Sequence, residues 1–231
     1  MRAPVASRLL DAAPLAFIPT KCLRNARTIV DVGAHEGSWS KAVLSLLKPE
    51  RLLALEPNPQ VFATLRKRLE GRPGVSLYQL AAGAKSGRGE LQIARSSDFS
   101  SLLRFRREAA KYYGDAGATE QTVDVEVARV DDLLGETEEV TLLKIDVQGA
   151  EHAVLEGSEQ TLQRTLALII EVTFVPHYTG EPSFFQLDRF LRDRGFSLYS
   201  LAPPKYAADG RLLWTDAVYS SSNQHSVSSS R

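Results

Sequence analysis

Residues Thr28 to Ser38, Thr-Ile-Val-Asp-Val-Gly-Ala-His-Glu-Gly-Ser, constrain the fold more than any other stretch of the chain. The β-branched run at its start has the pattern of a buried strand. It breaks into a turn punctuated by Gly33 and Gly37, and a helical pattern from Ser38 to Leu47 follows at once. Gly33 lets the chain turn sharply with no Cβ in the way. Gly37 lets the next helix begin close to whatever sits above the strand's carboxyl end, where ligands of open α/β sheets bind. No Gly-Lys-Ser/Thr follows, which excludes a Walker loop, and the Gly-x-Gly-x-x-Gly of a dinucleotide site is absent. Asp-x-Gly-x-x-x-Gly is thus either a ligand turn or a plain one, and the next strand helps to decide.

That strand is Arg51-Leu52-Leu53-Ala54-Leu55, and it runs into Glu56-Pro57-Asn58-Pro59. In a βαβ unit the acid closing the second strand reaches a ribose and accepts from its hydroxyls. Glu56 lies 19 residues after Gly37 and 23 after Gly33, about the interval this arrangement needs. A solvated acid before a proline turn is the simpler reading, and the pairing with the glycine turn favours the ribose contact.

A chain of 231 residues suits one α/β domain. Its 28 Lys and Arg balance 28 Asp and Glu, so nothing suggests long-range attraction to nucleic acid or to an anionic membrane. Cys22, the only cysteine, permits neither an intramolecular disulfide nor a cysteine zinc site. It fits a reducing compartment. No apolar run reaches the length of a membrane span. Residues 1–27 mix Arg2 and Arg8 with Leu9, Leu10, Leu15, Phe17 and Ile18, and Asp11, Pro14 and Pro19 interrupt them too early for a signal peptide. They read as a helical cap on a domain spanning 28–220, and a cytoplasmic location is the expectation.

Strand and helix patterns alternate through the rest, the mark of a three-layer α/β sandwich. Gln60 to Glu70 is helical and Val75 to Leu80 is a third strand, ending in the small residues Ala81-Ala82-Gly83. These leave room for a flat ring, or pack closely. Gly87 to Arg95 and Gln121 to Val130 alternate like half-exposed strands. Between them, 96–119 is long and polar, as functional or disordered segments are. Ser100, Ser101, Arg104, Arg106, Arg107, Lys111, Tyr112 and Tyr113 could form a lid or substrate surface there, or a solvated face. Val140 to Val147 is a strong strand, followed by an amphipathic helix. Leu166 to Phe174 is the most apolar strand and carries Glu171, a carboxylate that needs a partner or a task. The helix Phe184 to Arg194 stops at Gly195. Phe196 to Leu201 and Leu212 to Ser220 read as a final antiparallel pair, and residues 221–231 as a disordered tail.

With both halves of the site in hand, the chain resembles class I S-adenosylmethionine-dependent methyltransferases, and more narrowly the FkbM family. The residues that carry the resemblance are Val30-Asp31-Val32-Gly33-Ala34-His35-Glu36-Gly37 and Leu55-Glu56-Pro57-Asn58-Pro59. The most restrictive are Leu143-Lys144-Ile145-Asp146-Val147-Gln148-Gly149-Ala150-Glu151-His152-Ala153-Val154-Leu155-Glu156-Gly157 and Ile169-Ile170-Glu171-Val172. Gln148 stands where the family often has Glu. The resemblance implies a Rossmann-like, mostly parallel seven-stranded sheet with an antiparallel last strand, and S-adenosylmethionine as methyl donor. It also implies O-methylation of a hydroxyl on a sugar, a glycolipid or a secondary metabolite. Asp31, Gly33, Ala34, His35, Gly37 and Ser38 would line the methionine and ribose side. Glu56 with Pro57 would hold the ribose, Asn58 would stand near the adenine edge, and Ala81 and Ala82 would border the ring. Asp146 would sit between donor and acceptor.

A hydroxyl nucleophile gains from a base or a metal. Asp146, His152 and Glu171 are the catalytic candidates, with Asp146 or His152 as base; Glu151 capping its helix beside a surface His152 is the structural alternative. A divalent ion on Asp146, Glu171 and His177 is chemically open, but the spacing matches no recognised metal motif. Three rivals remain: a non-catalytic module that binds S-adenosylmethionine or a nucleotide, an NAD-dependent oxidoreductase, and an RNA or protein methyltransferase. The missing dinucleotide motif counts against the second, and neutral charge without an Asn/Asp-Pro-Pro-Tyr/Phe motif against the third. A small-molecule or glycan acceptor is the expected partner.

Overall fold

The structure, a computed structural model, describes residues 13–23, 25–136 and 138–222. The start of the expected cap and the tail beyond 222 lie outside them. The chain enters through a 3-10 turn, Ala13–Phe17, and a single helical turn, α1 (Thr20–Leu23). Leu15, Ile18 and Cys22 pack here with Ile29, Trp39, Leu142 and Val218, so this segment covers one face of the sheet.

β1 (Thr28–Val32) has all five residues buried. Parallel strands covered by helices on both faces read as continuous apolar runs rather than alternating ones, which is why Ile29-Val30-Asp31-Val32 looks as it does. The glycine turn leads to α2 (Ser38–Leu46), then β2 (Arg51–Leu55), α3 (Pro59–Leu69) and β3 (Val75–Tyr78). Next come β4 (Ala81–Ala82), β5 (Gly87–Ala94), α4 (Ala110–Tyr113) and β6 (Thr119–Ala128). The second half holds β7 (Val140–Ile145), α5 (Glu151–Glu156), α6 (Glu159–Leu162), β8 (Thr165–Thr173) and α7 (Phe184–Arg192). It closes with β9 (Phe196–Leu201), β10 (Lys205–Tyr206) and β11 (Leu212–Ser221).

The main sheet runs β10-β11-β8-β7-β1-β2-β3, with β9 also paired to β11. β1, β2, β3, β7 and β8 are mutually parallel, and β11 is antiparallel to both β8 and β9. This is the mostly parallel Rossmann-like sheet with an antiparallel last strand. It has eight strands rather than seven, because Lys205–Tyr206 pairs with the start of β11. A second difference concerns Ala81 and Ala82. β3 stops at Tyr78, whose carbonyl accepts from Glu56 N, and the two alanines pair with β6 in a separate three-stranded sheet, β4-β6-β5. That small sheet stands beside the carboxyl ends of the main strands.

The polar 96–119 segment is packed rather than extended. Its backbone bridges Ser101 to Gln92 and Phe105 to Tyr178. Phe99, Phe105, Tyr113 and Tyr178 meet edge-on or tilted, with ring centroids 5.1–6.5 Å apart. Aromatic edge-to-face contacts of this kind add about 0.5–1.5 kcal/mol each beyond their burial. A nominally hydrophilic segment is thereby held against the end of the sheet.

Candidate active site

Register places the site. Val32 pairs with Leu55 on one side and Ile145 on the other; Ile145 pairs with Ile170, and Glu171 faces Asp216 across the antiparallel strands. One step toward the carboxyl ends, the row across the sheet therefore reads Glu56, Gly33, Asp146, Glu171, Asp216. A cavity of about 340 Å³ lies along this row, closed from the side by Leu91 and by Ser97 to Leu102.

The turn over β1 is built around Gly33. Its φ is +80°, and a Cβ there would lie 1.8 Å from the carbonyl oxygen of Asp146, so only glycine lets β1 and β7 end side by side. Gly37 works differently. Its missing Cβ accommodates Leu65 of α3, at 2.6 Å, so it serves helix packing and does not line the cavity.

At one end of the row, the Glu56 carboxylate lines the cavity and is oriented by backbone: Oε2 accepts from His35 N at 2.9 Å and Oε1 from Asn58 N at 2.8 Å. Burial pushes its carboxyl up, and these two N–H groups pull it back. Asn58 is the N-cap of α3, its side chain accepting from Gln60 N at 3.1 Å, and it is not part of the cavity wall. The His35 ring hydrogen-bonds Ser97 Oγ at 2.8 Å, which ties the 96–119 segment to the glycine turn.

Asp31 lies beneath the floor, fully buried, accepting from Ser40 Oγ at 2.5 Å. Lys144, which does line the cavity, joins it to the site: its Nζ is 3.4 Å from Asp31 Oδ1, 3.3 Å from Asp146 Oδ2 and 3.4 Å from the Gly33 carbonyl. Burial alone would push this ammonium down, yet Asp146, Asp31 and Asp216 outweigh it and hold it above the ordinary lysine range. Burial pushes the Asp31 carboxyl up, and Lys144 and Ser40 oppose the rise.

The other end is organised by Gln148, whose φ is +58°. Its Nε2 donates to Asp146 Oδ1 at 2.9 Å and, at 3.4 Å, to Glu171 Oε1. Its Oε1 accepts from Tyr178 Oη at 3.1 Å, and its carbonyl from Ser101 Oγ at 2.7 Å. Burial, then Asp146, pushes the Glu171 carboxyl well above the carboxylate range. Burial, then Asp146, also pushes Asp216 up to about 6 against the pull of Lys144.

Of the residues expected from sequence, Gly33, Ala34, His35, Ser38, Glu56, Pro57, Ala81, Ala82 and Asp146 line the cavity. Asp31, Gly37, Asn58, Glu171 and His152 do not. Glu171 is one layer back, behind Gln148. His152 is off the cavity wall on which Asp146 lies. It follows Glu151, whose Oε1 accepts from Val147 N and Gly149 N, each at 3.1 Å, and which is 3% exposed. With Glu151 turned inward, the helical step of about 100° carries His152 outward. There it meets Phe190, with ring centroids 5.1 Å apart, and Glu156.

The metal set does not assemble either. His177 Nε2 is engaged with Tyr113 Oη at 2.9 Å, and burial pushes its imidazole down to about 4. Among the described residues no three His, Cys, Asp or Glu side chains group as a metal site. Sequence reasoning gave no site role to Lys144 or Gln148, though both stand in the restrictive motif, and passed over Asp216. The signal for Asp216 was the one that flagged Glu171, a carboxylate inside an otherwise apolar strand.

A family model described as "Methyltransferase FkbM domain" matches residues 31–198. The chain is similar to the 2-O-methyltransferase NoeI of Sinorhizobium fredii, with 27% identity over 161 residues, 66% of each chain. It is also similar to the methyltransferase sdnD of Sordaria araneosa, 29% identical over 197 residues, 74% of this chain and 73% of that one. A crystal structure of methyltransferase FkbM from Methylobacillus flagellatus superposes with a TM-score of 0.55 at 16% identity, covering 84% of this chain and 43% of that one. This chain thus spans just under two thirds of NoeI and less than half of the M. flagellatus protein.

Proposed function

Because this chain belongs to the FkbM family of methyltransferases, we propose that it is an S-adenosylmethionine-dependent methyltransferase acting on a hydroxyl of a sugar, a glycolipid or a secondary metabolite. The observation that carries the reading is Glu56: a carboxylate on the cavity wall, pre-oriented by two backbone N–H groups, beside a turn that tolerates only glycine. Its remaining lone pairs are placed to accept from ribose hydroxyls. Ala81 and Ala82 leave flat space beside it, and Leu80 and Leu91 make that end of the cavity apolar. The residues present therefore fit the donor. When bound, it supplies an activated methyl on a sulfonium, so the protein's main task is alignment.

Under this reading Gly33, Ala34, His35 and Ser38 flank the methionine and ribose portion, and Asp146, its two oxygens fixed by Lys144 and Gln148, marks the boundary with the acceptor. The 96–119 segment forms the acceptor-side wall through Ser100 and Ser101. The activity named for NoeI, a 2-O-methyltransferase, supports a hydroxyl acceptor. The balance of 28 basic and 28 acidic residues supports a small or glycan acceptor over a nucleic acid.

The test is calorimetric titration of the full chain with S-adenosylhomocysteine, beside a Glu56→Ala variant. Saturable binding, weakened at least about tenfold in the variant, is expected from the loss of charge-assisted hydrogen bonds of about 1.5–3 kcal/mol. A folded wild type that does not bind would refute the methyltransferase assignment.

A further inference from the structure

Resting on the methyl-transfer reading above, we infer that Asp216 is the general base, the carboxylate that receives the acceptor's proton. Asp216 lies on β11, at the far end of the row that begins with Glu56, and lines the cavity. With the donor's ribose at Glu56, the acceptor occupies this opposite end.

Every other carboxylate there is spoken for. Asp146 gives one oxygen to Lys144 and the other to Gln148. Glu171 sits behind Gln148, outside the cavity wall. Glu151 holds the turn after β7 through Val147 N and Gly149 N. Glu181 accepts from Thr173 Oγ1, His177 N and Tyr178 N. Asp216 alone of this group faces the cavity with no hydrogen bond or ion pair on its carboxylate among the described residues. His152, one of the two candidate bases expected from sequence, is turned to Phe190. Asp216 also falls beyond the residues 31–198 that the family model matches.

The groups that set its ionisation come from the neighbouring strands. Burial raises its carboxyl first; Asp146, from the turn after β7, raises it further and Lys144 on β7 opposes the rise, while Glu171 faces it from β8 and, on the β10 side, Lys205 is turned over the Trp214 ring, 6.0 Å from its centroid. The result, a carboxyl pushed up to about 6, suits a base at neutral pH: largely ionised, and more basic than an exposed aspartate.

The step balances as follows. The acceptor's O–H bond breaks and its proton passes to Asp216. The oxygen's electron pair forms the new O–CH3 bond as the methyl–sulfur bond breaks, and that bond's pair stays on sulfur in the neutral thioether S-adenosylhomocysteine. Asp216 then returns its proton to solvent.

The experiment compares wild type, Asp216→Asn and Asp216→Glu. S-adenosylhomocysteine affinity is measured by calorimetry. Methyl transfer from methyl-labelled S-adenosylmethionine is measured to methyl α-D-glucopyranoside and methyl α-L-fucopyranoside, and to water as released methanol. Expected are affinities within twofold for all three proteins, and transfer at least about 100-fold slower in Asp216→Asn, the lower range for general-base catalysis. The wild-type rate should rise with pH through about 6 and level off, a limb that Asp216→Asn lacks and Asp216→Glu keeps in part. An Asp216→Asn rate within threefold of wild type overturns the proposal while leaving the methyltransferase reading intact. So does a wild type that binds S-adenosylhomocysteine yet transfers to neither glycoside nor water above the uncatalysed rate. A wild type that fails to bind S-adenosylhomocysteine removes the underlying reading, and the base with it. If Asp216→Asn does not fold, Asp216→Glu decides: its pH limb should shift with the moved carboxylate, and an unshifted wild-type profile overturns the assignment.

Discussion

Replacing Lys144 by methionine keeps most of the side chain's length and removes its charge. Asp31, fully buried, then loses the ammonium at 3.4 Å and, among the described residues, keeps only Ser40 as a polar partner. Breaking a buried pair in this way costs about 3–5 kcal/mol. Protonation sets a ceiling, because Asp31 can escape its charge by binding a proton. At pH 7, about 3 units above an ordinary aspartate, that escape costs at most about 4 kcal/mol at about 1.4 kcal/mol per unit, and less because burial already raises the Asp31 carboxyl beside Lys144. The two routes agree, and 3–4 kcal/mol is a large part of the 5–15 kcal/mol typical of a domain.

The sign of the pH dependence follows from the same argument. A carboxyl whose folded pKa is raised binds its proton more tightly in the native state, so stability falls as pH rises between the unfolded and folded values. The deficit of Lys144→Met should therefore shrink on acidification, by about 1.4 kcal/mol per pH unit, and nearly vanish at a pH above the ordinary aspartate value, since burial already raises Asp31 in the wild type. Urea denaturation of wild type, Lys144→Met, Asp31→Asn and the double variant at pH 5, 6 and 7 measures this. The double variant should recover at least about 2 kcal/mol of the single-variant loss, as coupled neighbours do. A deficit below about 1 kcal/mol at pH 7, or one independent of pH, would refute the view that Lys144 neutralises a charged Asp31.

Glu151, pushed up by burial to about 8, makes the wild type lose stability as pH rises from about 5 to 8, since the native state holds that proton and the unfolded chain releases it. Glu151→Gln keeps an acceptor for Val147 N and Gly149 N and should flatten the slope of the unfolding free energy from urea titration against pH by up to about 1.4 kcal/mol per unit; an unchanged slope contradicts the assignment. Gly33→Ala and Gly71→Ala form a matched pair, with φ of +80° and +77°, but only the first places a Cβ against backbone, 1.8 Å from Asp146 O. Gly71→Ala should cost the left-handed strain alone, about 1–2 kcal/mol, and Gly33→Ala clearly more in the same urea assay; equal costs would mean that the β1–β7 contact yields freely.

Thr28–Val32 and Leu166–Phe174 announced themselves as buried strands because a run apolar on both faces has few other stable fates. Gly33 could be read as a turn, and Glu56 as the acid beside it, because both follow from the local grammar of one βαβ unit. Asn58 was expected near the adenine edge, from the resemblance alone. Its side chain caps α3, a role that asparagine before a proline-initiated helix commonly takes. Residues Ser96 to Thr119 read as polar and open-ended, and what packs them is aromatic contact, that of Phe105 with Tyr178 joining positions 73 apart in the chain.

By itself the sequence determined the strands, the helices between them, the glycine turn and the acid that follows it, since each rests on residues within about one βαβ unit. Only the tertiary structure decided what those residues face. His152 and Glu151 are adjacent, yet one points to Phe190 and the other into the turn after β7, because helix phase and not proximity in sequence sets direction. Lys144 became the link between Asp31 and Asp146, and Asp216 became the open carboxylate of the cavity, only when β7 fell between β1 and β8 and β11 folded back beside β8. Those pairings join residues up to 113 positions apart, Val32 with Ile145 for example. No local propensity encodes them; they are fixed by which apolar faces can be buried together.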